Sequence, residues 1–253
     1  MLVIVSPAKK LDFESSAPIS DYVEPKFIEK SEVLIKELKK CSPAEISKMM
    51  KLSEALTNLN VGRYKSFKTP FTPENAKQAI FSFKGDTYVG LDAESLNKTQ
   101  IKYAQNHLRI LSGLYGVLSP LELIQPYRLE MGTKFSCNGS KNLYEFWKED
   151  LTAELNTILK KEKILVNCAS GEYSGAVDFS RLNGEVVTPV FKDKKNDQYK
   201  IIGLFAKRAR GMMARFIIEN KVTEMEALKG FDSDGYKFNP SMSEGNELVF
   251  TRG

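Results

Sequence analysis

The chain has 253 residues, 42% of them hydrophobic and 27% charged, enough to bury a full core without disulfides. No run approaches the roughly 20 apolar residues that a bilayer span requires, and 37 basic against 32 acidic residues leave a net +5 that leans toward anionic partners. One histidine, His107, and three separated cysteines, Cys41, Cys137 and Cys168, exclude a two-histidine zinc site, an HExxH motif and a disulfide framework; no metal site and no cofactor is expected.

In MLVIVSPAKK the apolar run is too short, and the lysines lie on the wrong side, for a secretory signal, so LVIV reads as the first strand and the cytoplasm as the compartment. From Pro25 to Phe83 the pattern is mainly helical and suggests a helical subdomain at residues 25–83. Ser42 to Glu45 (SPAE) form a capping box, with proline at the first helical position; TPEN at Thr72 is a weaker form of it. KGDTYVGLD predicts a short strand closed by Gly90. NKTQIKYAQNHL predicts an amphipathic helix with His107 as a partly exposed residue. RILSGLYGVL predicts a hairpin around Gly113 and Gly116, and SPLE, with Ser119 as cap, starts a short helix PLELI.

NLYEFWKEDLTAELNTILKKEK then reads as helix and ILVNCAS as a buried strand. GEVVTPVF and YKIIGLF read as strands around KDKKNDQ, AKRARGMMARFIIEN as helix and ELVFTR as the last strand. Strands run from end to end with no linker or repeat. Hairpin-spaced and helix-separated strands are mixed, which predicts one α+β domain over 1–253, a mixed sheet with surrounding helices.

Four stretches could carry chemistry. A helix, the turn of Ser112, Gly113, Leu114, Tyr115 and Gly116, and a second helix approximate a helix-hairpin-helix, whose turn amides hold a DNA phosphate without reading sequence. The usual form has one residue between its glycines and this one has two, so a core turn competes with that reading. In QPYRLEMG, after Tyr127, Arg128 and Glu130 share a side by the period of two, either as a structural ion pair or as lining of a polar pocket. On AKRARGMMARFIIEN, Lys207, Arg208, Arg210, Gly211 and Arg215 form one face, suited to a phosphate or polyanion unless it is merely solvated. SPAK and NCASGEY follow strands, where α/β sheets bind ligands. They offer Ser6, Lys9, Asn167, Ser170, Glu172 and Tyr173, with ordinary turn chemistry as the competing reading.

VIVSPAKKLDF, FKGDTYVGL, LRILSGLYGVLSPLELIQPYRLEMG, LYEFW, NCASGEY and AKRARGMMARFIIEN, in this order, resemble the bacterial YaaA peroxide-stress family from Leu2 to Arg252. The resemblance implies a cytoplasmic protein that limits peroxide damage by keeping free iron low. It also implies an unusual α+β fold with a positively charged cleft, and binding of double-stranded DNA through a helix-hairpin-helix-like element at Ser112–Gly116, with Lys207, Arg208, Arg210 and Arg215 near the cleft. Ser119 departs from the basic residue expected there, which weakens phosphate contact beside the hairpin. Three functions remain open: sequence-independent DNA binding without catalysis, an enzyme for a phosphorylated or nucleoside-like small molecule, or a scaffold whose basic face binds a protein partner. The enzyme's pocket would draw on Ser6, Lys9, Tyr127, Arg128, Glu130 and Glu172.

Overall fold

LVIV forms β1 (Leu2–Val5), and all four of its side chains are buried, as expected of a strand covered on both faces. The computed structural model describes residues 1–253. After β1 come the short β2 (Lys10–Leu11) and three helices: α1 (Ile28–Lys40), α2 (Pro43–Met50) and α3 (Glu54–Ser66). The capping box of α2 is formed, Ser42 and Glu45 each bonding the other's backbone amide. Next are β3 (Lys77–Gln78), α4 (Ala79–Ser82), β4 (Phe83–Lys84), α5 (Asp86–Leu91), α6 (Lys98–His107), β5 (Leu108–Ser112), β6 (Gly116–Leu118) and β7 (Leu123–Ile124). The second half holds α7 (Leu143–Leu159), β8 (Ile164–Cys168), α8 (Gly171–Ser174), β9 (Glu185–Lys195), β10 (Gln198–Lys200), α9 (Gly203–Asn220), α10 (Met225–Leu228), β11 (Lys237–Phe238) and β12 (Glu247–Arg252). No helix is long and apolar enough to cross a membrane.

The main sheet has the order β11-β12-β9-β8-β1-β5-β6, with β10 also on β9. Its centre, β5-β1-β8-β9-β12, is parallel, and the antiparallel β6, β10 and β11 lie around it. From β1 the chain moves to β5 on one side, then returns with β8 to the other side of β1. That reversal leaves a crevice at the carboxyl ends of β1 and β8, where open α/β sheets bind ligands. The fold is thus a single mixed α/β domain with helices around the sheet, as the strand spacing predicts. One core of 68 buried residues joins α1–α3, through Leu34, Ile46 and Tyr64, to the sheet.

Four local expectations are corrected. KGDTYVGLD is the helix α5, not a strand. A Cβ on Gly90 would strike the Arg208 carbonyl of α9, and one on Gly211 the Thr87 carbonyl of α5. The two helices therefore cross backbone to backbone, and this packing overrides the strand preference of Thr87, Tyr88 and Val89. PLELI is not helical: Leu123 and Ile124 pair antiparallel with Gln78 and Lys77, because ladder bonds to a distant segment replace the helical ones. TPEN forms a turn, with Asn75 Oδ1 accepting from Thr72 N. YKIIGLF divides: Tyr199 and Lys200 finish β10 after the left-handed Asn196 and Asp197, and α9 begins at Gly203.

Candidate functional site

Val5 ends β1 and Cys168 ends β8 in register, so the loops that follow, Ser6–Lys9 and Ala169–Glu172, emerge side by side. They are tied together. Ser170 N donates to Ser6 Oγ at 2.8 Å, and the two serine hydroxyls lie 3.2 Å apart. Tyr88 of α5 donates its hydroxyl to the Ser6 carbonyl at 3.1 Å, which brings the α5–α9 crossing up to the same crevice. A cleft of about 290 Å³ results, lined by Ser6, Lys9, Lys10, Lys84, Asp86, Tyr88, Ser170, Glu172, Lys207 and Arg210 among others.

The charged lining residues divide by partner. Lys9 pairs with Glu130 at 2.7 Å, and Glu130 with Arg128 at 3.1 Å. Lys84 pairs with Glu94 at 2.6 Å, and Glu172 accepts from the Gly132 amide at 3.1 Å. Lys10, Lys207 and Arg210 enter no ion pair and donate no side-chain hydrogen bond, although Arg210 is half-buried. Lys10 and Lys207 are exposed, so of the three only Arg210 gives up part of its hydration without a protein partner.

Burial holds the neighbouring titratable groups neutral. It pushes the Cys168 thiol up to about 12, with Arg210 opposing the shift, so at neutral pH the sulfur is a thiol and not a nucleophilic thiolate. Burial likewise raises the Tyr88, Tyr127 and Tyr173 phenols, which stay hydrogen-bond donors. No three His, Cys, Asp or Glu side chains gather with metal-binding spacing.

Of the pocket residues read from the sequence, Ser6, Lys9 and Glu172 line the cleft, and Glu130 and Arg128 form its outer ion-pair chain. Tyr127 sits behind the wall, its hydroxyl 2.7 Å from Ser112 Oγ. Lys207 and Arg210 face the cleft and Arg208 is exposed. Arg215 lies outside the cleft lining: it pairs with Asp92 at 3.3 Å and Glu219 at 2.8 Å and donates to the Leu91 and Asp92 carbonyls, so it clamps α9 to α5. Gly211 admits the α5 backbone, not a ligand.

The hairpin turn lies in the core. Ser112, Gly113, Leu114, Tyr115 and Gly116 are all buried. The Leu114 and Tyr115 amides donate to Ser112 Oγ at 3.2 and 2.9 Å, the Gly113 carbonyl accepts from the Trp147 indole at 2.9 Å, and a Cβ on Gly116 would lie 2.7 Å from the Trp147 ring. Those two amides are satisfied within the turn, and the segment after them is a strand. Sequence reasoning missed Lys10, Lys84, Asp86 and Tyr88. Lys84 and Asp86 were visible as the charged pair in KGD, but that segment reads as a strand until α9 is seen to pack on it.

These features define a class: a single-domain α/β protein with a polar crevice at the switch point of a mixed sheet. The sequence model of the family described as peroxide stress protein YaaA matches residues 1–242. A UPF0246 protein of Alteromonas mediterranea is 52% identical over 254 residues, covering all of this chain and 98% of its own; one of Aliivibrio fischeri matches equally. A UPF0246 protein of Flavobacterium johnsoniae is 51% identical over 252 residues, all of both chains. The chain belongs to the YaaA peroxide stress protein family.

Proposed function

We propose that this peroxide stress protein binds a small phosphate-bearing molecule in the cleft at the carboxyl ends of β1 and β8. The observation that carries this reading is the convergence of Lys10, Lys207 and Arg210, none of them neutralised by a carboxylate, on the tied Ser6 and Ser170 loops. Phosphate oxygens supply the acceptors those cations lack, and Arg210 suits a bidentate contact. Calorimetric titration with inorganic pyrophosphate tests the reading. The wild-type chain should bind saturably, Lys207→Ala/Arg210→Ala should weaken binding by about tenfold or more, and Arg208→Ala, which removes an exposed arginine of the same helix outside the cleft lining, should bind at wild-type strength. Equal affinity in wild type and the double variant refutes the reading.

A second reading, sequence-independent binding of double-stranded DNA, is favoured by charge segregation. Residues 25–83 hold 11 Lys and Arg against 6 Glu, and the remaining residues hold 26 of each sign, so the whole net charge lies on the helical segment. There Lys36, Lys39, Lys40 and Lys68 surround a shallow hollow of about 470 Å³. A duplex on this face would limit iron-dependent lesions by displacing ferrous iron from its phosphates. Lys36→Ala/Lys39→Ala/Lys68→Ala should then lower the slope of log affinity against log salt by about 3; an unchanged slope refutes this face as the contact.

A further inference from the structure

A trough of about 1140 Å³ lies beside the cleft and shares Lys10, Lys84, Gly85, Asp86 and Tyr88 with it. We infer that the two form one binding site for a nucleotide, whose phosphates lie on Lys207 and Arg210 in the cleft and whose nucleoside occupies the trough. This rests on the anion-binding reading of the cleft.

Three observations support it. First, the trough is far larger than any space a lone phosphate or pyrophosphate fills, and it borders the cleft along Lys10, Lys84, Gly85, Asp86 and Tyr88. Second, its lining includes Leu11, Phe13 and Pro126 together with Leu59 of α3 and Val89 of α5. Leu59 is 48% and Val89 59% exposed. Large apolar side chains left in water at the mouth of a concave site are an unmet surface for a flat apolar group.

Third, the trough's carboxylates fall into two sets. Asp12 and Glu94 pair with Lys84, and Asp92 pairs with Arg215. Glu14 and Asp86 enter no ion pair, although both line the trough. Free acceptors beside an apolar lining suit sugar hydroxyls and the amino groups of a base. An acyl chain would leave them unused, and a second phosphate would be repelled by them. Of the shared residues, Lys10 is an unpaired cation and Asp86 an unpaired carboxylate, whereas Lys207 and Arg210 line the cleft alone. An anionic head on an uncharged body rich in donors is the chemistry of a nucleotide.

The test compares the head alone with head and body on the full chain at constant ionic strength. Calorimetry should find ADP bound about tenfold or more tighter than pyrophosphate. Leu59→Glu/Val89→Glu should bring ADP down to the affinity of pyrophosphate while leaving pyrophosphate unchanged. Both positions are exposed, and the fluorescence of Trp147, the chain's one tryptophan, reports folding of the variant; Leu59→Ser/Val89→Ser, which adds no charge, should show a smaller loss in the same direction. ADP binding no tighter than pyrophosphate, or an ADP advantage that survives both variants, overturns the inference and leaves the anion site standing. Binding of neither molecule overturns both.

Discussion

Glu122 is a carboxyl the fold keeps from water. One of its oxygens accepts from Ser119 Oγ at 3.2 Å, the other has no partner, and Arg109 is the nearby cation. Burial pushes its pKa up to about 7, against the opposing pull of Ser119 and Arg109. Its folded value therefore exceeds its unfolded one, and between about pH 4.5 and 7 the folded chain holds more protons than the unfolded chain. Stability falls as pH rises through that window, by on the order of 3 kcal/mol in all, and the loss is complete above it. Glu122→Gln, neutral throughout, should match wild type near pH 5 and be the more stable protein at pH 8. Urea unfolding at the two pH values measures this; a wild-type slope in the variant contradicts it. The same scale separates the arginines of α9. Arg210 has no partner and Arg215 has two carboxylates, a difference set by Asp92 and Glu219, of which only Glu219, four residues on, could be anticipated from helical spacing.

Helices α5 and α9 form the crossing on which the cleft depends. Gly90 and Gly211 let the backbones touch, and the crossing sets Asp86 and Tyr88 opposite Lys207 and Arg210. Gly211→Ala should cost about 1–3 kcal/mol by forcing the helices apart, and should weaken pyrophosphate binding because Lys207 and Arg210 move with α9. Gly203→Ala, where nothing lies within 4 Å of the added carbon, should leave both unchanged. Thermal unfolding and titration of the two variants check this, and equal behaviour contradicts it. The crossing also explains what the sequence concealed. β1, β8, β12, α7 and the capped α2 follow from local period and caps, and ELVFTR is β12 residue for residue. α5 does not, because the residues that make it helical lie more than a hundred positions away. The hairpin at β5 and β6 was legible as a turn, but its burial was not. That depends on Trp147 and on Leu129, whose carbonyl a Cβ on Gly113 would strike, and no pattern within the hairpin announces either.

At the scale of the molecule, charge and cleft occupy different parts of the fold. The net +5 belongs to residues 25–83, whereas the unpaired cleft cations come from β2 and from α9. Overall composition thus pointed to an anionic partner without distinguishing a surface for a polymer from a crevice for a small molecule. The topology supplies a crevice as well as a surface, because the reversal between β1 and β8 opens the space that Ser6 and Ser170 line. The central claim is that Lys207 and Arg210 hold phosphate there. A crystal structure of the chain grown with pyrophosphate, in the absence of sulfate, tests it most directly. The account predicts pyrophosphate density within hydrogen-bonding distance of Lys207 Nζ, the Arg210 guanidinium and Ser170 Oγ; pyrophosphate ordered elsewhere on the molecule, with the cleft holding only water, would contradict it.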